Sequence, residues 1–421
     1  MIRLTHGLVD GHEGVMTRLL CLSCCSLLFA CADAGPAEAE AASSTGEAMD
    51  ASTGTASSSG EVDESSSESG DSSSGGTPGV CSTVAAEVTL RDVSVFQVLE
   101  TRLFEDGAAV SVEERKVPLV AGRDGLVRAR VELASARSLA LQLEVETAGT
   151  THTIIEPVEV GGDAMMLATI PASLLSVDAK LSVSVLDCAE GAAAGGARFP
   201  ASGSVALDPV QTGPLAIHFV PFEIGGFVPD TSPEVLAGFE AAILSLYPVT
   251  EVVMTVGDVV PDAYGGQVDM GDLLVDTGIV QEMDDAPPHV YYYGLVTGAA
   301  TREEFCSSCP TGSSESGNGN RAAFSIGAAF ADARAQSTLT HELGHMHGLL
   351  HAPCGNPDLL DDAFPHAGAE TTVEGYDWRT GTFIAPDAKD VMAYCDPRWV
   401  SDYHYAKMVE WVQRAQTWSR N

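Results

Sequence analysis

The stretch that decides this chain is His341-Glu342-Leu343-Gly344-His345-Met346-His347-Gly348-Leu349-Leu350-His351. On a helix, residues four apart share a face, so His341 and His345 can aim at one point. Glu342 follows the first of them and sits where a carboxylate can hold and deprotonate a water. Gly348 can take a left-handed conformation and end the helix sharply. The turn then brings His351 round from outside the helix. Three neutral imidazoles with a fourth position left open are the catalytic pattern for zinc, as distinct from the closed structural one. His347 does not fit that spacing and reads as a non-ligand.

Downstream stands Asp390-Val391-Met392-Ala393-Tyr394-Cys395. The three-histidine stretch followed by a methionine-containing turn resembles the metzincin zinc metallopeptidases. The resemblance implies that Met392 forms an apolar floor beneath the histidines. It implies for Tyr394 a place near the zinc, as a ligand or as a hydrogen-bond donor to the oxyanion; a buried structural tyrosine is the competing reading. The stretches His351-Ala352-Pro353-Cys354-Gly355 and Trp399-Val400-Ser401-Asp402-Tyr403 look like the end of the catalytic domain in a group of exported bacterial metzincins. In that likeness Cys354 and Cys395 tie the loop after the third histidine to the methionine turn. The resemblance implies a protein or peptide substrate, with Glu342 as general base. The likeness is close over 340–405 and covers 214–421 in layout.

From about residue 214 onward, strands and helices alternate. Ala216–Pro221, Glu251–Val256 and His289–Val296 read as strands. Pro233–Leu246 reads as a helix, with Ser232 at its N-cap and Pro233 in its first turn. A weaker helical pattern covers Val275–Met283. Long helices are expected over Ala331–His347 and His404–Gln416. Arg321–Ile326 is the candidate edge strand, able to align an extended peptide by backbone pairing. The fold class is therefore α+β, a mixed sheet backed by helices over 214–421.

Between Cys81 and about residue 210 the pattern is different. Runs such as Ala86-Glu87-Val88-Thr89-Leu90 and Leu181-Ser182-Val183-Ser184-Val185 alternate with period two. Turn signals separate them, which predicts an all-β, sandwich-like domain. No catalytic constellation stands there.

Residues 32–80 hold ten acidic residues, no lysine, no arginine and no aromatic residue. Such a segment cannot bury enough apolar surface to offset its ordering entropy and reads as a disordered tether. Ahead of it, Arg18, the apolar run Leu19–Ala30 and the sequence Leu28-Phe29-Ala30-Cys31 read as a signal peptide over 1–30 of lipoprotein type, with Met16 an alternative start. Cys31 is the candidate for lipidation. Export to the bacterial cell envelope, through an outer-membrane lipid anchor or by secretion, is the expectation. Six cysteines follow: Cys81, Cys188, Cys306, Cys309, Cys354 and Cys395. An even number suits an oxidising compartment, and sequence order pairs them in succession.

The formal net charge is -38. That excludes a phosphate backbone as partner and a polybasic hold on anionic lipid. Asp358, Asp361 and Asp362 form an acidic cluster where calcium is a second cofactor reading, although the spacing matches no calcium loop. The chain is expected to act as a monomer with one catalytic zinc. Two other functions stand beside the endopeptidase: an adhesin or glycan-binding protein with an inactive metallopeptidase domain, and a zinc hydrolase of a non-peptide bond.

Overall fold

The computed structural model describes residues 81–305, 311–317 and 319–418, together with the backbone of Leu28–Cys31. The rest of the signal-peptide reading, the tether and the pair Cys306 and Cys309 lie outside the described residues.

The C-terminal portion is built on a six-stranded mixed sheet. Its order is Leu28–Cys31, Gly312–Glu315, Phe324–Ala328, Val290–Val296, Leu215–Pro221 and Val252–Val256. The last four are mutually parallel. Gly312–Glu315 and Leu28–Cys31 are antiparallel to their neighbours. The run Val-Tyr-Tyr-Tyr-Gly-Leu-Val is apolar throughout because it is covered on both faces. Tyr291, Tyr293 and Leu295 join one core cluster, while Tyr292 and Val296 join another.

Five α-helices are found among the described residues: α1 Pro233–Leu246, α2 Met270–Met283, α3 Arg302–Phe305, α4 Ala333–Met346 and α5 Asp402–Trp418. Helices α1, α4 and α5 contribute to the larger core; α2 covers the opposite face with Leu273 and Leu274. Pro233 opens α1 as expected, but Ser232 makes no side-chain cap bond. The cap of α4 is Asp332, whose carboxylate accepts from the Ala335 N–H. Ala335, Leu339, Leu343 and Met346 form the apolar stripe that seats α4 in the core.

The expected edge strand is corrected. Phe324–Ala328 is interior, paired on both sides, and Gly312–Glu315 lies beyond it toward the rim. Gly-Ser-Ser-Glu carries no apolar alternation, so its sequence holds no period-two strand signal. Its buried Ser314 hydroxyl bonds the Ser325 hydroxyl and the Glu342 carbonyl of α4, and the Ser325 hydroxyl donates to the Ser313 carbonyl.

The N-terminal portion is all-β. Its strands form one nine-stranded hydrogen-bonded sheet in place of two separate ones. Two long strands, Gly125–Thr147 and Thr150–Ile170, run through it. The first half of Gly125–Thr147 pairs with Val88–Phe96 and its second half with Lys180–Asp187. Both halves line one apolar core. Cys81 is bonded to Cys188, tying the start of this portion to the end of its Lys180–Asp187 strand.

The two portions share apolar packing. Val98, Leu99 and Val117 from the β portion belong to the core cluster that holds α4 and Met392. The Tyr376 N–H and the Trp399 indole both donate to the Val98 carbonyl. Arg128 is buried between Glu100 and Glu374 at 2.6 Å from each.

Candidate metal centre

Helix α4 carries His341, Glu342 and His345, all buried. It ends as the glycine predicts. Gly348 has φ +76°, the Leu349 N–H donates to the Gly344 carbonyl at 3.0 Å, and the Gly348 N–H donates to the His345 carbonyl at 2.8 Å. That paired closure is the left-handed helix stop. The chain then doubles back and places His351 beside the helix. Ligand-capable atoms of His341, His345 and His351 all lie within 4.8 Å of one another, and this group can hold a metal ion.

The tautomers follow from the partners. His341 Nδ1 meets the Val391 carbonyl at 2.8 Å, and His345 Nδ1 meets the Leu349 carbonyl at 2.9 Å. His351 Nδ1 meets the Asp358 carbonyl. A carbonyl only accepts, so each Nδ1 carries the proton and each Nε2 keeps its lone pair. His345 Nε2 and His351 Nε2 stand 3.1 Å apart. Two lone pairs at that distance repel unless a cation lies between them. Tetrahedral zinc with ordinary zinc–nitrogen bonds would set ligand nitrogens about 3.3 Å apart. The donor set therefore fits zinc, and the backbone carbonyls supply the orientation that ligating histidines usually require.

Electrostatics agree with neutral ligands. Burial, and then repulsion from His351, push the His341 pKa down to about 3. Burial, followed by His341 and His351, pushes His345 well below the histidine range. Burial lowers His351 as well, against the Asp358 carbonyl, which opposes the shift.

Around the triad, Met392 is fully buried and Gly344 is what lets it approach. A Cβ at Gly344 would overlap Met392 Sδ. The segment after His351 is laced to the methionine turn. Ala352 N–H donates to the Met392 carbonyl at 3.1 Å, Tyr394 N–H donates to the Cys354 carbonyl at 2.9 Å, and Cys354 is bonded to Cys395. This lacing sets the Tyr394 hydroxyl 3.4 Å from His351 Nε2. Gly312 of the outer strand lies against Glu342: a Cβ there would overlap the carboxylate.

His347 points away, as its spacing implied. It is buried among Tyr247, Tyr291 and Trp411. The acidic cluster is not a shared site. Asp361 is taken by Lys407 at 2.7 Å and by the Tyr403 hydroxyl at 3.0 Å. The triad is the metal-capable group found among the described residues. Residues that the sequence did not single out are Gly312, Ser314 and His404, whose proximity to the site depends on long-range packing.

No curated protein matches the chain. The family model of peptidase M66 matches residues 274–404, a span that runs from within α2, through the histidine stretch and the methionine turn, into the first turn of α5. Over that span the chain is similar to a family of zinc metallopeptidases.

Proposed function

We propose that this chain is a zinc-dependent endopeptidase of the metzincin type, with His341, His345 and His351 as ligands and Glu342 as general base. The observation that carries the reading is the convergence of the histidine Nε2 atoms, each forced into its acceptor form by a carbonyl behind it. Bound zinc would supply Lewis-acid polarisation of the scissile carbonyl and acidify the attacking water. Glu342, beside the ligands on α4, takes the proton of that water and returns it to the leaving amine. The Tyr394 hydroxyl, next to His351 Nε2, is placed to donate to the developing oxyanion. Met392 keeps the floor of the histidines apolar and dry.

Substrate alignment falls to the strand Gly312–Glu315. The Leu28–Cys31 backbone pairs with it antiparallel, and Cys31 stands opposite Gly312, the residue packed against Glu342. That pairing supports the reading that this edge accepts an extended chain by main-chain bonds, which tolerate many side chains. The export reading rests on residues 1–31 and on the two disulfides. Signal cleavage after Ala30 would remove Leu28–Ala30 from the edge and leave Cys31 for lipid. No helix among the described residues is long and apolar enough to cross a membrane.

The decisive variant is Glu342→Gln. It keeps shape and can hydrogen-bond a water, but cannot take a proton. Zinc content and fold should survive, and cleavage of a peptide library hit should fall by about 10²–10⁴-fold or more. Tyr394→Phe should cost less. Wild-type cleavage by the Gln variant would sink the mechanism. Zinc binding by both forms with no peptide cleaved by either would point instead to a binding module.

A further inference from the structure

Two loops complete the histidine site, and neither belongs to α4. The turn around Asp390–Met392 supplies the Val391 carbonyl that orients His341. The loop 358–361 holds His351 from both sides: the Asp358 carbonyl takes its Nδ1–H, and the Asp361 N–H donates to its carbonyl at 2.8 Å. Each loop buries one aspartate. Asp390 is fully buried; Oδ1 accepts from the Met392 N–H at 2.8 Å, and Oδ2 accepts from the Ser401 N–H at 2.9 Å. Asp361 Oδ1 accepts from the Ala363 N–H at 3.0 Å.

His404, in the first turn of α5, stands between these two carboxylates with no solvent exposure. Its Nδ1 donates to Asp390 Oδ1 at 2.7 Å. Its Nε2 faces Asp361 Oδ2 at 3.7 Å and has no hydrogen-bond partner among the described residues. Phe364 packs on the ring with centroids 5.2 Å apart. Lys407, from the same helix, holds the outer side of Asp361. If these positions needed only volume, apolar side chains at all three would fill them without the desolvation of an imidazole and two carboxylates. The donor geometry indicates another use. Burial would raise the Asp390 pKa, yet His404 and then the Ser401 and Met392 donors outweigh it and hold the carboxyl below its usual range.

We propose that His404, as an imidazolium hydrogen-bonded to Asp390 and drawn by charge toward Asp361, is a positioning residue that clasps the His341-orienting turn and the His351-bearing loop at a fixed separation. The clasp rests on the zinc reading above. It prepares the triad for metal before metal arrives, and so acts on zinc affinity as well as on the fold. Partners behind metal-ligating histidines commonly control affinity by about 10–100-fold.

The test uses the full chain, with zinc affinity measured by chelator competition and the melting temperature of the zinc-free protein measured in parallel. His404→Leu removes both contacts at similar volume. His404→Asn keeps an N–H donor where Nδ1 stood and loses the reach toward Asp361. Asp361→Asn alters the opposite end. His404→Leu should weaken zinc binding about 10–100-fold. His404→Asn should fall between Leu and wild type. The double variant His404→Asn/Asp361→Asn should bind no more weakly than the poorer single variant, because both cut one link. If His404→Leu does not fold, the two Asn variants carry the test. Zinc affinity within about twofold of wild type in folded variants, or strictly additive losses, would overturn the clasp even if melting temperatures drop. A wild-type chain without near-stoichiometric zinc would instead remove the zinc reading, and the clasp with it.

Discussion

His347 shows how one side chain in the histidine stretch can be structural while its neighbours converge on a single point. Its ring lies 5.3 Å from those of Tyr247 and Tyr291 and stacks on Trp411 at 6.1 Å. Neither ring nitrogen has a hydrogen-bond partner among the described residues, and burial pushes its pKa down to about 3. The ordinary histidine value of about 6.5 applies in the unfolded chain, so falling pH protonates the unfolded state first. The contribution to stability is complete above pH 6.5 and erodes as pH drops toward 3, by up to about 1.4 kcal/mol per pH unit. His347→Phe should relieve that loss. Urea unfolding in chelator should find the variant gaining about 2 kcal/mol on wild type between pH 7 and pH 5. An equal pH dependence in both proteins would refute the neutral-histidine account. Zinc binding at pH 7 should be unchanged by the substitution.

The outer strand and the disulfide-closed loop are the two segments whose geometry bears most directly on the site. Gly312–Glu315 has no apolar face of its own, and Ser314 anchors it by donating to the Glu342 carbonyl at 2.9 Å. Because a Cβ at Gly312 would overlap the Glu342 carboxylate, Gly312→Ala must shift the strand or the base. The variant should keep its zinc and lose kcat by about tenfold or more, since small misplacements of a reacting group are expensive. Wild-type kcat with intact zinc would show that the base does not need this contact. The Cys354–Cys395 bond closes a sequence separation of 41 beside Tyr394. Replacing both with serine should destabilise the chain by about 2–4 kcal/mol and lower activity in the fraction that remains folded. Removing Cys81–Cys188, far along the chain, should cost stability and spare kcat. Equal effects on kcat from both double variants would contradict this placement.

Across the chain as a whole, the β portion is part of the support for α4. Leu99 is 1% exposed and lies in the same core cluster as Leu343 and Met392. The Arg123 guanidinium donates to the Leu244 and Tyr247 carbonyls at the end of α1. Arg128 is 3% exposed between its two glutamates, so cutting it away would strand buried charge. Leu99→Ala should therefore destabilise the C-terminal portion by about 2–4 kcal/mol, read as a single denaturant transition that also reports zinc release. The fragment 214–421 should fail to reach the cooperativity of the full chain. A fragment as stable as the full chain would mean that the shared packing is incidental.

The histidine cluster, the helix stop and the buried methionine turn were legible because they are local. A helical period, a glycine at the stop and a methionine turn are properties of neighbours along the chain, and each chemistry-bearing residue in them has few other uses. The parallel strands were legible for the same reason: a run such as Val290–Val296 is apolar on both faces and announces its burial. The outer strand was not. Gly-Ser-Ser-Glu has no period, and its place beside Glu342 depends on pairing with Phe324–Ala328 and on Ser314 reaching α4. His404 was not legible either, since its partners lie 14 and 43 residues back along the chain, at Asp390 and Asp361. Whether a buried polar residue orients a neighbour or fills a core depends on what folding brings within about 3 Å of it, and one-dimensional spacing does not carry that distance.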